Sequence, residues 1–165
     1  SNTINLFALG ALVAWLRRET AMEGRPEVGP RLTAPDVALP KLNSAEDVSP
    51  ETWALVLRLN RFGDRPQPVI LASMYRHLAH APQFLGRVEQ ALAPVQADGS
   101  LDRAIAENLA AAKVACRLLA RAIDAGPPRE VERIEASVAA FVEHAISKMA
   151  TICRTIRHAR ATIAL

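Results

Sequence analysis

Aromatic side chains are scarce: four Phe, two Trp and one Tyr make up only 4% of 165 residues. Sheet cores draw on aromatic and β-branched residues, so this scarcity points away from strands and toward close-packed helices of Leu, Ile, Val and Ala. No segment alternates with period two over a useful length, and no sheet is expected. Cysteine is also rare. Cys116 and Cys153 stand far apart with no CxxC, which supports neither a thioredoxin-like redox site nor a zinc site. Each falls on the apolar face of a helical pattern and reads as a small buried hydrophobe. A reducing, cytoplasmic setting is the default for such a chain. Charge runs are missing as well. The net charge is +3, and the one mildly basic region holds Lys148, Arg154, Arg157 and Arg160. It reads as a solvated helix end favourable to the macrodipole, not as a nucleic-acid face. The apolar run at residues 4–16 is shorter than the roughly 20 residues that cross a bilayer. Arg17 and Arg18 follow that run, whereas a signal peptide carries its positive charge ahead of it. No membrane partner is expected, and a buried helix continuing from something upstream fits better. There is no glycine-rich phosphate loop and no GxSxG nucleophile elbow, and no cofactor is expected.

What is present is half the composition in hydrophobic residues, enough for one domain with a real core. The apolar spacing predicts an all-α helical bundle of about six helices. Residues 1–22 form a buried first helix, ended by Gly24 and Pro26. Residues 23–48 hold Gly24, Pro26, Gly29, Pro30, Pro35 and Pro40 and read as a strap between two units. Residues 49–165 form a helical domain. Its first helix is capped by Ser49, opened by Pro50 and runs to about Phe62, with Trp53, Val56, Leu57 and Asn60 on one side. Further helices are expected over residues 69–80, 82–92 and 101–125. The last of these shows a stripe of Leu101, Ile105, Leu109, Ala112, Cys116, Leu119 and Ile123. The final helix runs from Arg129 toward Ile163 on a stripe that includes Ile134, Val138, Phe141, Ala145, Met149 and Ile152.

The stretch at residues 72–85 is the first place to look for a polar site. It holds the only tyrosine, Tyr75, together with His77 and His80. The two histidines are three apart on a helix, but no Asp or Glu nearby completes a metal site. Ser73 has no evident His partner with an orienting acid. Glu143 and His144 are adjacent, and neighbouring helical residues point about 100° apart.

The run Ala72-Ser73-x-aromatic, then Leu78-Ala79-x-x-Pro82-x-x-Leu85, then Leu92-Ala93-Pro94-Val95, resembles the C-terminal repeat of the group I 2-haloacid dehalogenases. Leu39-Pro40 with Ser44-Ala45-Glu46 resembles the segment that opens that repeat, and residues 141–156 resemble its long closing helix. Residues 2–12 resemble the helix that closes the first repeat, and the strap matches the family's linker. The resemblance implies an all-helical fold built as the last helix of one pseudo-repeat followed by the second. It also implies hydrolytic dehalogenation of small 2-haloalkanoic acids, in which an aspartate activates the attacking water and an asparagine helps to position it. By the same resemblance Asn2 and Ser73 take catalytic positions. Met74, Tyr75 and His77 fall beside the substrate, and the partner is a small organic acid. Met74 stands where the family has its aspartate, and a thioether cannot take a proton. Hydrolysis of 2-chloropropionate is therefore not expected. Alternatives are an active enzyme with His77 as a displaced base, and a non-enzymatic helical module. The module would bind a small ligand or pair two chains as a homodimer; an upstream segment of the same chain could supply the same surface.

Overall fold

Serine or proline marks the helix starts at Ser49-Pro50, Ser73, Pro82 and Ser100. The computed structural model describes residues 2–19, 40–63, 70–126 and 128–158. They form the expected all-α fold, with no strand among the described residues. Helix α1 spans Asn2–Leu16 and buries Leu6, Gly10, Ala11, Val13, Ala14 and Leu16. The sequence pattern carries it to residue 22, just before the first breakers. Instead Arg18 turns left-handed at φ 59°. The Glu19 amide then donates to Ala14 O at 2.8 Å and the Arg18 amide to Trp15 O at 3.0 Å. This is the paired-bond helix stop usually built on glycine, here carried by arginine. Arg17 extends to Glu135 on the last long helix with an Nε–Oε1 distance of 2.5 Å. Of the expected strap, only residues 40–48 lie inside the described regions.

Helix α2 (Pro50–Asn60) begins as expected: the Ser49 side chain accepts from the Thr52 amide, and proline occupies the first turn. Its inward face is Val56 and Leu59, both fully buried, while Leu57 is largely exposed. Asn60, at the end of α2, sets where the next helix begins. Its Nδ2 donates to Ile70 O at 3.2 Å, and its Oδ1 accepts from the Ala72 amide at 3.0 Å. Both bonds hold residues 70–72 extended, so α3 (Ser73–Leu78) starts later than the expected residue 69. Arg76 and His80 then bind the carbonyls of Asn43 and Lys41, at 2.6 and 2.8 Å, and dock α3 on the preceding segment. Ala81 is bent away from helical geometry (φ −129°, ψ 75°), as a residue before proline prefers.

Helix α4 (Pro82–Ala97) outruns its expected end at residue 92 and carries Pro94 inside it. Proline has no amide to donate, and Gln90, whose carbonyl loses that bond, lies on the exposed side. Helix α5 (Ser100–Ala120) buries Leu101, Ile105, Ala112, Cys116 and Ala120, close to the expected stripe, but stops before residue 125. The long final helix is α6 (Val131–Ala140), a π-helical turn at Phe141–Ile146, and α7 (Ser147–His158). The wider π turn shifts the buried face. Ile134 and Phe141, expected inside, are exposed, and Ala139, Val142 and Ile146 are buried in their place.

Two apolar clusters result. One gathers Val56, Leu59, Tyr75, Leu85, Val88, Leu92, Leu101, Ile105, Met149 and Ile152 from α2, α3, α4, α5 and α7. The other gathers Leu6, Val13, Ala112, Ala139, Val142 and Ile146 from α1, α5, α6 and the π turn. Helices α5 and the α6–α7 rod pass through both, and the candidate site lies where they meet α1.

Candidate functional site

Met74 and Tyr75, in the first turn of α3, lie on the side that faces α7 and the first apolar cluster. Across from them, Cys153 is half-buried on α7. Its Sγ lies 3.2 Å from Met74 Sδ, and Asn2 Nδ2 donates to the same sulfur at 3.3 Å. Residues from the first helix and from α3 therefore meet at one thiol. Tyr75 completes the group. It is fully buried, and its hydroxyl has no hydrogen-bond partner among the described residues. Burial drives its phenol well above the ordinary tyrosine range, and the nearby Cys153 sulfur pushes it in the same direction.

The other two sequence candidates are placed differently. Ser73 is exposed at the first position of α3, and among the described residues no hydrogen bond ties it to this group. His77 lies in the last turn of α3, half-buried, with Nδ1 shielded and without a hydrogen-bond partner among the described residues. Two and four residues from Tyr75 and Ser73 respectively, it shares a helix face with Ser73, not with Tyr75. His80 is engaged with the Lys41 carbonyl.

Cys153 also forms part of the wall of a cleft of about 850 Å³ between α1, α5 and α7. Alanines make this space. Ala111, Ala112 and Ala115 on α5 and Ala150 on α7 line it, where longer side chains would fill the gap. Leu6 and Phe7 of α1 add apolar lining, and Thr3, Asn108 and Thr151 add polar groups. Asn108 Nδ2 donates to Thr151 Oγ1 at 3.1 Å, and that hydroxyl donates to Ser147 O at 3.0 Å. Arg154, Arg157 and His158 line the same cleft from the end of α7. Among the described residues no carboxylate lines it, and neither arginine is held in an ion pair. A cleft with apolar walls and two such guanidinium groups suits a small molecule with an acid group.

The sequence alone does not show this surface. Cys153, expected as a buried hydrophobe, is half-buried, while Arg154 and Arg157 are exposed at the helix end as expected and line the cleft as well. The signal was present in the spacing: Ala150, Cys153, Arg154 and Arg157 stand at i, i+3, i+4 and i+7, one face of a helix. The alanine run at 110–112 with Ala115 was the matching gap on α5.

Comparison with protein-family models, with curated proteins and with solved structures finds no match for this chain.

Proposed function

We propose that this chain binds a small organic acid in the cleft between α1, α5 and α7. We further propose that it is a divergent relative of the group I 2-haloacid dehalogenases that does not hydrolyse their substrates. One observation carries the reading. Asn2 and Met74, which the resemblance assigns to the water-positioning asparagine and the base, converge on Cys153, and Cys153 lines a cleft that holds two arginines outside any ion pair among the described residues. The guanidinium groups supply the carboxylate holder, and Leu6, Phe7 and the alanines supply an apolar seat for the remainder of the ligand. The hydrolytic step has no base at Met74, because a thioether neither takes a proton nor activates water.

Calorimetric titration with 2-chloropropionate, run beside a chloride-release assay, tests both halves. Binding is expected without chloride above the buffer background. Changing Arg154→Gln and Arg157→Gln together should weaken binding by about tenfold or more, the scale of a lost charge-assisted hydrogen bond. Affinity indifferent to those changes would remove the cleft from the proposal. Chloride release abolished by Asn2→Ala or Ser73→Ala would show that the chain is a hydrolase after all.

A further inference from the structure

The cleft between α1, α5 and α7 is larger than a short acid such as 2-chloropropionate fills. Its volume of about 850 Å³ lies toward the top of the range that holds drug-sized ligands. It is also polarised along its length. Two contacts fix the run of its walls. Asn108 on α5 reaches Thr151 on α7 at 3.1 Å, and Lys113 reaches Glu143 in the π turn at 2.8 Å. Helix α5 and the last rod are therefore antiparallel. Arg154, Arg157 and His158 lie beyond Thr151 at one end, and Ala111 and Ala115 lie toward the other. Helix α1 follows the same order. Asn2 Nδ2 meets Cys153 at 3.3 Å, whereas the carbonyls of Leu6 and Phe7 face Cys116, next to Ala115, at 3.8 and 3.7 Å. One end of the cleft is thus cationic, and the other is walled by Leu6, Phe7 and alanines.

The length of the cleft follows from the helical rise. From Thr151 to Arg157 α7 climbs about 9 Å, and from Asn108 to Ala115 α5 covers about 10 Å in the opposite sense. A hydrocarbon chain with bonds of about 1.5 Å fits lengthwise between these ends. We propose that the cleft takes an unbranched monocarboxylate of about eight to ten carbons, its acid group at Arg154 and Arg157 and its chain laid along the α5 alanines toward Ala115. This inference rests on the reading of the cleft as an acid-binding site.

The two ends set the selectivity. Among the described lining residues the apolar end carries no charged side chain, so a second carboxylate there would lose water without gaining a partner. Dicarboxylates of the same length are disfavoured for that reason. An alcohol of the same length leaves the guanidinium groups without an anion. Chain length is read by the alanines. A methylene fully removed from water is worth about fourfold in affinity. Ala111 is exposed and Ala115 half-buried, so the chain keeps one side toward solvent, and about twofold per methylene is expected, half the free energy of full burial.

The test is calorimetric titration of the folded chain with butanoate, hexanoate and octanoate, beside octanol and suberate, the alcohol and the dicarboxylate of octanoate's length. Affinity should rise about twofold per methylene from butanoate to octanoate. Octanol and suberate should each bind about tenfold more weakly than octanoate, the scale of a lost charge-assisted hydrogen bond or an unpaired charge. Ala115→Leu should cut the apolar end short, lowering octanoate affinity by about fivefold while leaving butanoate within about twofold. Ala111→Leu, at an exposed position, makes the same comparison if the first change disturbs folding. Affinity that does not change with chain length would overturn the proposal. If that flat affinity is still lost in the chain carrying both Arg154→Gln and Arg157→Gln, the acid-binding reading stands without it. Suberate binding as tightly as octanoate, or an equal loss of butanoate and octanoate in both alanine variants, would overturn the proposal too. Octanol binding as tightly as octanoate would remove the acid-binding reading and the proposal together.

Discussion

The sulfurs of Met74 and Cys153 are 3.2 Å apart, joining α3 to α7 at the point where α1 also arrives. The contact places Met74 among packing residues, beside Tyr75, Met149 and Ile152. Met74→Leu keeps an apolar side chain of similar volume and should change unfolding free energy by less than about 1.5 kcal/mol. Met74→Asp places a carboxylate against the same sulfur and apolar neighbours and should lower stability by about 2 kcal/mol. Urea unfolding of the two variants checks the order. Equal stability would mean that the position is open enough to solvent for a carboxylate to stay hydrated.

Tyr75 carries a hydroxyl left unanswered among the described residues. Removing it in Tyr75→Phe should raise stability by about 1 kcal/mol, the lower end of what an unpaired buried polar group costs. Thermal unfolding measures that gain.

The pH dependence of Tyr75 has a definite sign. Its folded pKa is raised above the unfolded value, first by burial and then by Cys153. The stabilisation from keeping it neutral is therefore complete below the unfolded value near about 10 and is lost as pH rises toward the folded one. Phenolate absorbance should stay absent until the chain begins to unfold in alkali, since Tyr75 is the only tyrosine. A smooth titration at the ordinary tyrosine pH with the fold intact would contradict the burial.

Gly10 permits the close approach of α1 to α5. A methyl group there would press into Cys116 Sγ, with the Cys116 Cβ also at 3.4 Å. Gly10→Ala should destabilise the chain by about 1–3 kcal/mol through overpacking. Adding Cys116→Ala removes the obstructing sulfur, so the combined loss should be less than the sum of the two single losses. A double-mutant cycle by urea unfolding reads that coupling.

Asp47 anchors the segment that receives α3. Its carboxylate accepts from the Ser44 hydroxyl and the Ser44 amide, each at 2.7 Å, and from Lys41 at 3.3 Å. Those bonds, the Ser44 hydroxyl first, hold its pKa down at about 2. A lowered folded pKa stabilises above the unfolded value, and the contribution is lost as pH falls toward about 2. An NMR titration of the carboxyl should show that midpoint, and Ser44→Ala should move it up toward the ordinary aspartate value.

The sequence by itself determined the all-α class, the start of α2 at Ser49-Pro50 and most of the α5 stripe. Those features are local: a capping side chain, a proline at the first turn, and apolar residues every three or four positions. It also brought Asn2, Met74 and Tyr75 forward as candidates. The tertiary structure decided the remainder. Only with the chain folded can Asn60 clamp residues 70 and 72 and delay α3. The π turn after Ala140 shifts the buried face of the last helix from Ile134 and Phe141 to Ala139, Val142 and Ile146, which a constant helical period does not foresee. Cys153, Arg154 and Arg157 were visible as one helix face, but whether that face met solvent, core or a cleft depended on what stood opposite. The alanines of α5 stand there, and no property of α7 alone records the space they leave.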